Sequence, residues 1–127
     1  MEKFNVFISH SRGDARWARE LAKKLSGEGI EVWRGEANPA GDSSTKARNE
    51  KALKDSEAIV FLIDEDNAKS ANLFLEYGVA VAMGKKVLPV ILGNVDPSDL
   101  PSGLRQRKSL KKPSPDKVAA ELIALKE

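Results

Sequence analysis

The chain has 127 residues, 41% hydrophobic and 31% charged, which suits one compact domain over residues 1–127. Twenty-one Lys and Arg against nineteen Asp and Glu leave a formal charge of +2, too even for a protein that works by gripping nucleic acid. The absence of cysteine excludes disulfides and thiolate metal sites and suits a reducing cytoplasm; the opening Met1-Glu2-Lys3-Phe4-Asn5 has no apolar core of the kind a signal peptide needs, and no apolar run nears the ~18 residues of a membrane span.

Phe4 to Ile8 is short, apolar and rich in β-branched residues, the signature of a buried strand. Trp17, Ala18, Leu21, Ala22 and Leu25 then recur at helical spacing, with Asp14 ahead as a cap and Gly27 and Gly29 behind as a stop. Ile30 to Trp33 reads as a second strand, and Ser43 to Lys54 as a weakly amphipathic helix offering only Ala47, Ala52 and Leu53 to a core. A third strand runs from Ala58 to Ile63. The helix from Ala71 to Met83 is apolar nearly all round, which predicts burial. Val87 to Leu92 is a fourth strand, Asn94 to Ser102 a loop with two prolines, and Lys108 to Leu110 a short fifth strand. Ser114-Pro115, a cap followed by proline at the first helical position, opens a last helix that buries Val118, Leu122 and Leu125.

Strands alternating with helices predict an α/β fold: a five-stranded parallel sheet of flavodoxin-like order, 2-1-3-4-5, with helices on both faces. Such sheets bind ligands beyond the carboxyl ends of their strands. Those ends are Ser9-His10-Ser11-Arg12, Arg34-Gly35-Glu36, Asp64-Glu65-Asp66 and Gly93-Asn94. Glu76 stands out as a lone carboxylate among Leu73, Phe74, Leu75, Tyr77, Val79, Val81 and Met83, where burial without a partner is costly. Its alternatives are a narrow exposed strip with Asn72, a structural pair with an arginine, or a site. His10 reads either as a helix-capping loop residue or as a contact at the sheet mouth. Asp64, Glu65 and Asp66 could invite magnesium, but Ser9-His10-Ser11 supplies no acidic ligand opposite them, so no metal is expected. Arg105, Arg107, Lys108, Lys111 and Lys112 lack interleaved aromatic residues and read as a solvated, aggregation-resistant sheet edge.

The order Val6-Phe7-Ile8-Ser9-His10-Ser11, Val32-Trp33, Pro39-Ala40-Gly41-Asp42-Ser43, Ala58 to Ile63, then Ser70 through Glu76 resembles a Toll/interleukin receptor (TIR) domain of the bacterial type. The similarity runs from Phe4 to about Leu110, and Leu100 to Arg105 with the last helix also resembles the end of such a domain. The resemblance implies a flavodoxin-like fold and, in many members, cleavage of NAD at the nicotinamide ribosyl bond; other members are non-catalytic interaction modules. The family's catalytic glutamate follows a serine by six positions, as Glu76 follows Ser70. By the same resemblance, Ser9, His10, Ser11, Arg12, Trp33, Asp42, Ser43, Ser70 and Asn72 would contact substrate. NAD would be substrate rather than cofactor, giving ADP-ribose or a cyclic isomer as a signal in bacterial immunity, or simply depleting NAD. The Asn38 to Ser44 loop, with the helix behind it, would mediate self-association or pairing with other TIR domains. His10, Gly35 and Asn72-Leu73 stand where the family often has tyrosine, aspartate and Trp-Cys. Glu76 through Val87 also resembles the glutamate motif of nucleoside deoxyribosyltransferases, which act on an N-glycosidic bond of another substrate.

Overall fold

The computed structural model describes residues 4–36 and 43–126. Strands β1 (Asn5–His10), β2 (Glu31–Glu36), β3 (Ala58–Ile63), β4 (Lys86–Ile91) and β5 (Leu110–Lys111) form one parallel sheet in the order β2-β1-β3-β4-β5. Helices α1 (Ala15–Ser26), α2 (Ser43–Asp55), α3 (Ala71–Ala82), α4 (Ser102–Gln106) and α5 (Pro115–Lys126) connect and cover it. The fold is the expected flavodoxin-like one. Its strand order reverses between β1 and β3, which opens a crevice at their carboxyl ends.

Alternation along each strand divides the core in two. Val6, Ile8, Val60, Leu62 and Val90 pack with Ala18, Leu21 and Leu25 of α1 and with Val118, Ala119 and Leu122 of α5. Phe7, Ile59, Phe61 and Ile63 face the other way, onto Leu53 of α2, Leu73 and Ala80 of α3, and Leu104 of α4. Central β3 is buried along its whole length, as an all-apolar strand sandwiched between two helical layers must be.

Several elements differ from expectation. β1 continues through Ser9 and His10, and β2 through Arg34, Gly35 and Glu36, because pairing of Ser9 with Gly35 and His10 with Glu36 extends the ladder past the apolar run. Asp14 holds the cap position of α1 but makes no side-chain cap bond. The stretch expected as a loop contains a 3-10 turn, Pro97–Asp99, and gives its last residue to α4. Leu125 is 36% exposed rather than buried. The largest correction concerns α3, where Leu73 and Ala80 are buried while Phe74, Leu75 and Val81 are 40%, 52% and 44% exposed. A helix on the outside of a sheet has one face to bury whatever its composition.

Local chemistry sets the ends of α3. The Ser70 hydroxyl accepts from the Leu73 amide at 3.0 Å, satisfying a donor that the first turn leaves open. Gly84, at φ 68°, turns the chain out of the helix, and the Lys85 amide returns to the Ala80 carbonyl at 2.9 Å. On α5, the Ser114 hydroxyl accepts from the Lys117 amide at 3.2 Å, so the predicted cap is present.

Candidate active site

Ser9 projects from β1 on the side of Phe7, toward α2 and α3. Two turns into α3 from the Ser70 cap, Glu76 points back at the sheet. Its Oε1 accepts a hydrogen bond from the Ser9 hydroxyl at 2.7 Å, which joins residues 67 positions apart in the chain. Glu76 is therefore turned inward rather than displayed on an exposed strip. Burial pushes its carboxyl up to about 7, against the opposing effect of the Ser9 hydrogen bond.

This carboxyl lies in a cleft of about 160 Å³ between α2 and α3, lined by Asn49, Glu50, Leu53 and Lys54 of α2 and Asn72, Leu75, Glu76 and Val79 of α3. An apolar cavity of about 150 Å³ accepts benzene, so the cleft is sized for one six-membered ring. Asn49 is nearly buried, and its Oδ1 accepts from the Trp33 indole at 3.0 Å. Gly35 makes this close approach possible: a Cβ there would stand 2.5 Å from Phe7 Cζ and 3.3 Å from Asn49 Cγ. A side chain at this position would displace the Phe7 ring.

The other expected site residues divide into groups. Asn72 lines the cleft with Glu76. Ser70 serves α3 as its cap and acts on Glu76 through the start of the helix. Trp33 reaches the cleft only through Asn49; its own surface borders a groove with Asn5, Ile30 and Asp55 at the amino ends of β1 and β2. Asp42 lies outside the described residues, and Ser43 is described only as the first residue of α2.

His10, Ser11 and Arg12 belong to a neighbouring polar cluster at the mouth of β1 and β3. His10 is buried, and its Nδ1–H donates to the Ser11 carbonyl at 2.7 Å. The Ser11 hydroxyl donates to Asp64 Oδ2 at 2.5 Å. Asp64 Oδ1 accepts from the amides of Asp66 and Asn67 at 2.9 and 3.1 Å, closing the turn after β3. Burial raises the Asp64 carboxyl, but hydrogen bonds from Asp14, Ser11 and those two amides outweigh it and hold it below the usual range. Burial, and then the neighbouring Asp64, push Asp14 up to about 7. The cluster's oxygens are engaged in building the turn, and among the described residues no group of His, Asp and Glu is arranged to hold a metal ion. Arg12 is exposed in the 3-10 turn that follows β1.

Asn49 escaped the sequence reading, and Leu53 and Val79 were read as apolar helix residues rather than as walls of a cleft. Asn49 and Leu53 are four apart on α2, so the spacing that marked Leu53 as core also put Asn49 on the same face. Beside the cleft, Phe61 and Tyr77 meet edge to face at 6.2 Å, and Arg107 lies 5.9 Å over the Tyr77 ring. The basic residues 105, 107, 108, 111 and 112 are all exposed, as a solvated edge requires.

The chain is thus a flavodoxin-like α/β domain whose first strand presents a serine to a half-buried glutamate of the third helix. Residues 6–123 match the sequence pattern of the TIR domain family, and the chain belongs to that family. In fold it is similar to the structure of the RPS4 and RRS1 TIR domain heterodimer, at 14% identity and a TM-score of 0.67, over 97% of this chain and 94% of that one. It is also similar to the TIR domain of the Toll-related receptor TRR-2 from Hydra magnipapillata, at 18% identity and a TM-score of 0.65, covering 95% and 92%. A 2-deoxyribosyltransferase from Bacillus psychrosaccharolyticus shares the fold at 12% identity and a TM-score of 0.59, covering 93% and 95%. No curated protein matches the chain in sequence. Among the described residues, no helix is long and apolar enough to cross a membrane.

Proposed function

We propose that this TIR domain cleaves NAD at the bond between nicotinamide and ribose, with Glu76 as the carboxylate that carries the reaction. The observation behind this reading is the half-buried Glu76 carboxyl in a ring-sized cleft, oriented by the Ser9 hydroxyl at 2.7 Å. One carboxylate suffices. The bond from the ribose carbon to the pyridinium nitrogen breaks with both electrons remaining on nitrogen, so nicotinamide leaves neutral and needs no general acid. The positive charge that develops on the sugar is opposed by Glu76, and water then adds to that carbon and releases a proton, leaving ADP-ribose. A cationic pyridinium in the cleft also favours the ionised form of a carboxyl whose unliganded pKa is about 7.

Asn72 and Asn49 are the uncharged polar groups on the cleft walls that would orient the amide ring, and Ser9 holds one carboxylate oxygen, which leaves the other for the sugar. Ribose and phosphates would extend toward Ser11, Arg12 and the Asp42-Ser43 segment. We place the reaction in a bacterial cytoplasm, with assembly through the Asn38 to Ser44 loop. The second reading, a non-catalytic interaction module, is favoured by the large apolar side chains that α3 exposes.

Nicotinamide release from NAD at high protein concentration separates the readings. We expect release that Glu76→Gln abolishes. Free base from deoxynucleosides instead would identify the nucleoside-cleaving chemistry that the Glu76 to Val87 motif resembles. An intact chain that releases neither would be an interaction module.

A further inference from the structure

The cleft beside Glu76 has one wall whose hydrogen-bonding polarity is set from outside it. Asn49 of α2 is only 7% exposed, and it meets the Trp33 indole at 3.0 Å. An indole N–H only donates, so the atom it meets is the amide oxygen Oδ1. This removes the usual ambiguity of an asparagine, whose two ends are alike in shape. Trp33 does not line the cleft, so the Oδ1 end is drawn away from it and the Nδ2 end is the one left to face it. The strand keeps room for this contact, because a Cβ at Gly35 would stand 3.3 Å from Asn49 Cγ. Glu50 and Lys54 also line the cleft, but both are exposed, where water competes for every hydrogen bond and little selectivity results.

We propose that Asn49 is the specificity-determining residue of this cleft, its Nδ2–H group donating to a carbonyl oxygen carried on the bound ring, with Trp33 as the positioning residue that keeps that donor turned inward. The substrate class so defined is a dinucleotide whose pyridinium ring bears a carbonyl group meta to the ring nitrogen. That class rests on the function proposed above; the contact between ring and asparagine does not.

Burial makes such a donor selective. When a ring with a carbonyl oxygen enters, the N–H and the oxygen exchange their waters for each other. A ring of the same shape without the oxygen covers the N–H and leaves it unpaired, and that loss is largest where water cannot follow. Without the indole the amide is free to turn and set Oδ1 against the incoming oxygen, acceptor against acceptor.

The test uses two ligands of nearly equal shape, acetylpyridine and ethylpyridine, each substituted meta to the ring nitrogen. They differ by a carbonyl oxygen in place of two hydrogens, and both are uncharged at pH 8. Dissociation constants come from titrating the isotope-labelled full chain and following the backbone amide resonances of the cleft residues. A constant of about 10 mM is expected for acetylpyridine, the ordinary scale for a ligand of so few atoms. Wild type should bind it at least about tenfold more tightly than ethylpyridine. Asn49→Leu should bring the two to parity. Asn49→Asp keeps an oxygen for the indole, and with it the local fold, but replaces the donor by an acceptor, so ethylpyridine should become the tighter ligand. Trp33→Phe should leave the affinity for ethylpyridine unchanged and lose most of the preference for acetylpyridine. Equal binding of the two by wild type, no binding of acetylpyridine at about 50 mM, or a preference for it that survives in Asn49→Leu or Asn49→Asp overturns the proposal. A preference unchanged in Trp33→Phe overturns the positioning role. No bond is cleaved in this experiment, so it separates the two readings. An Asn49-dependent preference in a chain that releases no nicotinamide would overturn the enzymatic reading alone, and release of nicotinamide with the preference intact in Asn49→Leu would overturn this one alone.

Discussion

Helices α1 and α3 are both twelve residues long and lie on opposite faces of the same sheet, yet they meet water in opposite ways. α1 buries Ala18, Leu21 and Leu25 and turns Arg16, Arg19, Glu20 and Lys23 outward. α3 buries Leu73 and Ala80, exposes Phe74, Leu75 and Val81, and keeps its one carboxylate beside the sheet. In α1 the sequence pattern is spent on folding. In α3 apolar residues face water and an acid faces the interior, an inversion that costs stability and points to work done on both faces.

The sharpest break in that comparison is Glu76→Gln, which keeps shape and removes the charge. Nicotinamide release should fall by about two to three orders of magnitude, the usual scale for losing a group aimed at developing charge. Stability should move the other way. The Glu76 carboxyl is raised in the folded state from 4.5 to about 7, so the fold binds its proton more tightly than the unfolded chain does. The contribution is fully present below pH 4.5 and is lost as pH rises through 7, by up to about 3 kcal/mol. Glu76→Gln should therefore melt higher than wild type at pH 8 and close to it at pH 4, as calorimetry at the two pH values would reveal. Any substitution of a surface charge on α1, such as Arg19→Ala, should leave both quantities within error.

The same titration shapes catalysis. Only the carboxylate opposes an oxocarbenium ion, so kcat/KM, which reports the free enzyme, should rise with pH and level off above about 7, falling tenfold per unit below it. In kcat the limb should lie lower, because a bound pyridinium favours ionisation. A flat profile from pH 5 to 8 would remove Glu76 from the rate-limiting step.

Next in size is a pair of leucine truncations. Leu21→Ala in α1 removes a fully buried side chain and should cost about 2–5 kcal/mol in denaturant unfolding. Leu75→Ala in α3, at 52% exposure, should cost about 0.5 kcal/mol or less when unfolding is measured under monomeric conditions. Comparable losses at the two positions would mean that α3 is covered within the chain.

These contrasts also explain what the sequence could convey. Strand identity was legible because runs such as Ala58 to Ile63 are buried on both faces and need no partner to be recognised. The Ser70 to Glu76 spacing was legible because it is local to one helix. The Ser9 contact to Glu76 spans 67 positions and exists only once β1 lies beside β3, so no local pattern carries it. The expected burial of α3 erred because hydrophobicity reports a demand for cover without saying whether the same chain supplies it. Asn49 was passed over because an amide on a core face looks like a defect until the Trp33 indole is placed against it.

The smallest effect compares how the two helices begin. Ser70 accepts from the Leu73 amide, so Ser70→Ala should lose about 1 kcal/mol, the ordinary worth of a cap. Because α3 then frays at the turn preceding Glu76, the nicotinamide-release rate should fall as well, and Ser70→Asp, which restores an acceptor, should recover both. Asp14 occupies the corresponding position of α1 without capping it; its carboxyl turns instead to Ser11 and Asp64. Burial and the Asp64 charge raise its pKa to about 7, so its ionised form is the disfavoured one in the fold. Asp14→Asn should therefore be close to neutral at pH 3, below the unfolded value of 3.8 where the carboxyl is protonated in both states, and increasingly stabilising as pH rises to 8. A cap would behave in the opposite sense, since an ionised acceptor at a helix start becomes more favourable as pH rises. Thermal melts of the two variants at both pH values would thus distinguish the residue that starts a helix from the one that closes the polar mouth of the sheet.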